Sequence, residues 1–98
     1  MTTQIRIYTI NRGQLGQFVQ EWEEKIRPLR QEIGFEVGGG WLLEETNQFV
    51  WLLSYDGPES WAKKDAAYYT SPTRLEMVPN PARLIARAEE YFAESVMS

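Results

Sequence analysis

The chain has 98 residues, of which 43% are hydrophobic, 13% aromatic and 24% charged, with a formal net charge of −4. Cysteine and histidine are both absent, which excludes a disulfide framework, a thiolate nucleophile, a Ser/His/Asp triad, an imidazole metal site and a histidine-ligated haem. By surface scaling such a chain buries about two thirds of its unfolded surface, enough for one modest core, so a single domain over residues 1–98 is expected.

No apolar run approaches the roughly 18 residues of a membrane span, and Met1-Thr2-Thr3-Gln4 lacks the basic and apolar parts of a signal peptide, which points to the cytoplasm. An acidic balance without a basic cluster argues against nucleic acid and anionic membranes as partners. No cofactor and no metal are expected.

Ile5-Arg6-Ile7-Tyr8-Thr9-Ile10 reads as a strand that stops at the turn formers Asn11-Arg12-Gly13. From Gln14 the period changes. Leu15, Phe18, Val19, Trp22, Ile26, Leu29 and Ile33 recur at spacings of three and four, which predicts an amphipathic helix. Glu21, Glu23, Glu24, Lys25 and Arg27 fall on its other side, and the pairs Glu21/Lys25 and Glu23/Arg27 read as a solvated face. Pro28 predicts a kink, Gly34 a left-handed cap, and Phe35 a return over Leu29. Phe35 to Glu45 and Phe49 to Tyr55, joined by the polar turn Glu45-Thr46-Asn47-Gln48, read as a hairpin. Gly38-Gly39-Gly40 within it marks a bulge or a close backbone approach; a phosphate cradle would need a helix N-terminus directly after the glycines, and Trp41-Leu42-Leu43 continues the strand instead.

Asp56-Gly57-Pro58 reads as a turn with proline at a first helical position, opening a second helix in which Trp61, Asp65, Tyr68 and Tyr69 share a side up to Thr70. Ser71-Pro72 caps one further turn, Thr73 to Met77, before Pro79-Asn80-Pro81 breaks the chain. The tail is open to two readings. Asn80 as cap, Pro81 in the first turn and the stripe Leu84, Ile85, Ala88, Tyr91, Phe92 and Val96 favour a helix locally; the rival is a last strand from about Arg83 to Phe92.

With a strand at the end, the order is that of the split βαβ folds. Two helices cover one face of a four-stranded sheet, yet apolar residues stand on both faces: Phe49, Trp51, Leu53 and Tyr55 against Val50 and Leu52, and Tyr8 and Ile10 against Ile5 and Ile7. Leaving about 500 Å² of apolar sheet in water would forfeit about 12 kcal/mol. A second copy stacked sheet to sheet is the symmetric cover.

Ile5-Arg6-x-Tyr8-Thr9, a glycine and a long helix with Trp22, then Ile33-Gly34-Phe35, Gly39-Gly40-Trp41 with Glu44, and finally Val50-Trp51 with Tyr55, form an ordered set that resembles the NIPSNAP family over about residues 4 to 69. The resemblance implies an α+β fold: a ferredoxin-like βαββαβ sandwich with a four-stranded antiparallel sheet, two protomers facing sheet to sheet in a dimeric α+β barrel with helices outside. It turns the tail reading to a strand over Arg83 to Phe92. It brings no agreed catalytic residues. Relatives of the barrel include cofactor-independent monooxygenases and haem-degrading enzymes, the latter disfavoured by the lack of histidine.

Arg6, Tyr8, Trp22, Trp41, Trp51 and Tyr55 are the candidate pocket residues, because aromatic rings with phenol and indole donors suit a flat apolar molecule. Arg6 cannot shed its charge, so it either pairs with Glu36, Glu89 or Glu90 along the barrel or holds a substrate carboxylate or enolate. Glu44 beside the hairpin turn reads as solvated rather than as a base. Asp65 with Lys64 and Tyr68 makes a polar cluster without special spacing. Two functions are expected to compete: a homodimer that binds a small hydrophobic or aromatic molecule, or serves as an interaction module, without catalysis; and a cofactor-independent monooxygenase or isomerase in which Arg6 stabilises an enolate.

Overall fold

The computed structural model describes residues 1–97, so Ser98, the end of the expected domain, lies outside the described residues. The chain runs β1 (Thr2–Ile10), α1 (Leu15–Glu21), a π-helical turn (Trp22–Ile26), α2 (Arg27–Ile33), β2 (Glu36–Leu43), β3 (Gln48–Tyr55), α3 (Trp61–Thr70), α4 (Pro72–Leu75) and β4 (Ile85–Ala93). The strands form one antiparallel sheet in the order β2-β3-β1-β4. This is the expected ferredoxin-like α+β architecture, with β3 and β1 at the centre of the sheet.

The period of two decides the faces. On β1, Gln4, Arg6, Tyr8 and Ile10 are buried against the helices, and on β3 Phe49, Trp51, Leu53 and Tyr55 are likewise. Phe18 and Trp22 descend onto Tyr8, Phe49 and Trp51, with ring centroids 4.9 to 5.8 Å apart for Trp22–Phe49, Phe18–Phe49, Trp22–Trp51 and Tyr8–Phe18. Such tilted and edge-on pairs add to plain burial because ring edges and faces carry opposite partial charge. The opposite face carries Ile5, Ile7, Val50 and Leu52, all half-buried in the protomer, flanked by exposed Trp41 and Tyr91.

The tail is a strand. The helix-start signal at Asn80-Pro81 is real but short-lived: the Asn80 side chain accepts from the Ala82 N–H, and the turn it caps is a single 3-10 turn, Pro81–Leu84. β4 then pairs with β1 from Ile85 to Ala93, and the many cross-strand bonds to a central strand outweigh a local helical stripe. Likewise Pro58 stays in the turn and does not open the second helix; Ser60 does, its hydroxyl accepting from the Lys63 N–H. Ser71 caps α4 as expected, accepting from the Arg74 N–H.

At Pro28 the expected kink takes another form. The helix loosens into the π turn Trp22–Ile26, in which the Arg27 N–H reaches back to the Trp22 carbonyl, and Pro28 falls in the first turn of α2. A π turn holds an extra residue, so every position after it is rotated about the axis relative to the three-and-four stripe. Two charged residues of this helical stretch are buried. Glu21 is buried, accepting two bonds from Arg83 at 2.7 and 2.8 Å and one from Gln17, instead of standing in a solvated face with Lys25. Arg30 is buried as well.

Gly34 ends α2 in the left-handed region, where only glycine rests without strain, and the Phe35 N–H closes back on the Arg30 carbonyl. Phe35 joins the core with Leu29. The triple glycine makes both expected features: a bulge between Val37 and Gly39, and a close approach at Gly40, where a Cβ would come within 2.8 Å of the Phe49 ring and 3.0 Å of Trp22. The bulge turns Trp41 onto the open face opposite Val50.

Candidate functional site

Between β1, α2 and α3, side chains distant in sequence meet around one carboxylate. Arg6, fully buried on β1, sends Nη2 to Asp65 Oδ1 at 3.1 Å, and Arg30, buried on α2, sends Nη1 to the same oxygen at 2.7 Å. Three further donors of Arg6 are committed as well: Nε to Gln4 at 2.7 Å, and Nη1 to the Tyr69 hydroxyl at 3.1 Å and the Tyr8 hydroxyl at 3.4 Å. Glu90, opposite Arg6 in the β1–β4 register, lies 3.7 Å away and is partly exposed. Of the three acids expected beside Arg6, only Glu90 is near. Glu36 and Glu89 make no ion pair with it; Glu89 lies on the other face of the sheet, where it accepts from Tyr91, and the main partner of Arg6 is Asp65, which the sequence placed merely in a polar cluster. Arg6 therefore faces the helices and does not line a barrel between sheets.

Burial works against the Arg6 charge, but Tyr8, Tyr69 and Asp65 beside it prevail and hold the guanidinium protonated beyond its already high ordinary value. Burial pushes the Tyr8 phenol up against the pull of Arg6, and pushes Tyr68 up against the pull of Arg30 and Arg74. These phenols stay neutral hydrogen-bonding groups. Arg30 lies with Cζ 3.7 Å from the Tyr68 ring centroid, a stacked cation–π contact, and Arg74 from α4 approaches the rings of Tyr68 and Tyr69 at 5.8 Å.

Two spaces that share lining residues adjoin this cluster. An open groove of about 320 Å³ runs along the start of β4, walled by Tyr8, Tyr69, Ala82, Ile85, Ala88 and Glu90. Next to it, and sharing Tyr8, Tyr69, Ala82 and Ile85, is a cavity of about 60 Å³ also lined by Arg30, Trp51, Tyr68 and Arg74. A larger concavity of about 600 Å³ lies beside the β2–β3 turn, but its walls come from the single segment Leu42–Thr46. Glu44 there is exposed, as expected, and nothing converges on it.

The candidate pocket residues thus separate. Arg6, Tyr8 and Trp51 come together, with the Arg6 guanidinium 5.8 Å from the Trp51 ring centroid. Trp22 packs against Trp51 within the core. Tyr55 packs with Phe35, and Trp41 sits half-exposed on the opposite face of the sheet. Arg30 and Arg74 are the site residues that sequence reasoning missed: Arg30 stands four after Ile26 and three before Ile33, within the apolar stripe, so a charge on that stripe was the available signal, while Arg74 lies on the short α4 and carries no such mark. Among the described residues no group of three or more acidic side chains could hold a metal ion, and no helix is long and apolar enough to cross a membrane.

No curated protein matches the sequence. Among solved structures, an uncharacterized NIPSNAP domain protein from Burkholderia xenovorans superposes with a TM-score of 0.84 at 17% identity, over 99% of this chain and 96% of that one. A NIPSNAP family protein from Agrobacterium tumefaciens gives 0.82 at 16%, over 99% and 95%. A putative antibiotic biosynthesis monooxygenase from Nitrosomonas europaea gives 0.70 at 14%, over 98% and 99%, a likeness of fold. The NIPSNAP family model matches residues 3–96, essentially the whole described sheet and its helices, and the chain belongs to the NIPSNAP family.

Proposed function

We propose that this protein is a homodimer that binds a small, mainly apolar molecule in each protomer, without catalysis at Arg6. The observation that carries the reading is the groove beside β4: its walls of Ala82, Ile85, Ala88 and the rings of Tyr8 and Tyr69 suit an apolar or aromatic body, and a smaller cavity borders it across shared walls. An enolate-stabilising Arg6 would need to reach the substrate, yet it is fully buried and four of its five N–H donors are held by Gln4, Tyr8, Tyr69 and Asp65. The likeness to a putative monooxygenase is one of fold and supplies no reacting group.

Dimerisation rests on the open face of the sheet. Ile5, Ile7, Val50 and Leu52 form an apolar centre between Trp41 and Tyr91, with Arg87 and Glu89 at the β4 side. A patch with an apolar middle and both signs of charge at its margin is self-complementary across a two-fold axis. Sedimentation at micromolar concentration is expected to report twice the 11.4 kDa chain mass, and Leu52→Glu to shift it to the monomer; a stable wild-type monomer overturns the dimer. For the ligand, a panel of neutral and acidic monocyclic aromatics is expected to contain members that raise Tm and change tryptophan fluorescence. If no member does either, the binding reading fails.

A further inference from the structure

We infer that the ligand carries a carboxylate at one end, and that the smaller cavity holds this group through Arg30, Arg74 and the indole N–H of Trp51. The inference rests on the ligand-binding reading above and names the chemical class of its ligand. Three N–H groups of cavity-lining side chains, Arg30 Nε, Arg74 Nε and Trp51 Nε1, are buried and have no acceptor among the described residues. Buried donors are nearly always paired, because a donor taken from water and given nothing in return is strongly unfavourable. Of the four such side-chain donors among the described residues, three belong to residues that line this one small space, and the fourth, Trp22 Nε1, does not. The cavity's lining residues include no carboxylate, and the donors meet no other acceptor among the described residues, so what would satisfy them comes from outside those residues.

Charge leads to the same class of ligand. Arg6 and Arg30 share one oxygen of Asp65, and Arg74 brings a third guanidinium to the same tyrosines, whereas the second acid, Glu90, stays at the rim 3.7 Å from Arg6. The cluster carries more positive than negative charge in a setting of low polarisability, where an anion is favoured over a neutral acceptor. Size agrees, since about 60 Å³ is room for one carboxylate or for about two waters at roughly 30 Å³ each. The rest of the molecule, a ring or a short chain, would lie outward in the alanine- and tyrosine-walled groove. The ligand class is thus a small aromatic or short-chain carboxylic acid.

The test is a paired titration of the full-length protein, followed by tryptophan fluorescence and by Tm. Benzoate and phenylacetate are compared at neutral pH with benzamide and phenylacetamide, which match them in shape and lack the charge. The expected result is that each acid binds about tenfold or more tightly than its amide, a preference that Arg74→Gln largely removes. Arg30→Gln should remove it too; because Arg30 also supports the fold, the half-exposed Arg74 provides the decisive variant. Equal binding of acid and amide, as a cavity filled only by water would give, overturns the inference and leaves the binding reading intact. A preference that survives in Arg74→Gln at full strength overturns the assigned residues. Failure of both acids and both amides overturns this inference together with the reading beneath it.

Discussion

Two ionic clusters pin the helical layer, one at the end of α1 and one beneath β1, and they are balanced differently. At the end of α1, Glu21 meets Arg83 with two parallel bonds of 2.7 and 2.8 Å and takes a third from Gln17. One anion faces one cation, and Arg83 keeps contact with water. Beneath β1, Asp65 alone receives both Arg6 and Arg30, with Arg74 nearby and three N–H groups of the adjoining cavity unmatched. A closed pair of the first kind fastens the helix to the turn before β4 and has nothing left to offer. The second is kept in the fold although charge alone would disfavour it, and such a surplus is where a fold can recognise something else.

The largest expected effect comes from removing the single acid in the surplus cluster. Asp65→Asn leaves two buried guanidiniums facing each other across a neutral amide, and should destabilise the protein by about 3 kcal/mol or more. That is a large fraction of the about 5 to 15 kcal/mol that hold a small domain together. Urea unfolding measures it. A change below about 1 kcal/mol would mean that Asp65 is not the keystone between β1, α2 and α3.

The legible part of this contrast is its local part. The strands, their two faces and the helix ends could be read because alternation, the Gly34 cap and the Ser71 cap are short-range signals. Trp51 and Leu52 are neighbours on opposite faces, as alternation requires. Both ionic clusters escaped. Glu21 falls off the three-and-four stripe, on the side a lone helix gives to water, whereas Arg30, four after Ile26 and three before Ile33, stands within the stripe, where a charge needs a buried partner. Their partners Arg83 and Asp65 lie 62 and 35 residues away, a separation no spacing rule spans. The tail misled the local reading for the opposite reason: a correct helix-start signal at Asn80-Pro81 produced only one 3-10 turn, and pairing with β1 decided the rest.

The closed pair should break more cheaply than the shared one. Glu21→Gln keeps the shape, lets Arg83 turn to water and should destabilise by about 1 to 3 kcal/mol. It also has a pH signature. The hydrogen bond from Arg83 holds the Glu21 carboxyl below its ordinary value in the folded protein, against the opposing pull of burial. The unfolded chain thus binds this proton more readily, so the stabilisation is complete above the ordinary glutamate range and is lost as pH falls through the lowered folded value. Wild type is expected to lose stability on acidification more steeply than Glu21→Gln, and parallel pH profiles of urea midpoints would place the stabilising contact elsewhere.

Arg74 offers the smallest effect on stability and the sharpest separation of the two clusters. Its Nε has no acceptor among the described residues, its guanidinium is 5.8 Å from the Tyr68 and Tyr69 ring centroids, and no ion pair among those residues holds it. Were it a structural member like Arg83, Arg74→Met would be costly. If instead it adds to an uncompensated surplus, relieving one positive charge offsets the lost ring contact, and stability should stay within about 0.5 kcal/mol of wild type. Equilibrium unfolding of the two proteins side by side decides between these. A loss of about 2 kcal/mol would make the third guanidinium part of the scaffold, and the cluster beneath β1 would then be a larger relative of the Glu21–Arg83 pair, with no donor held in reserve.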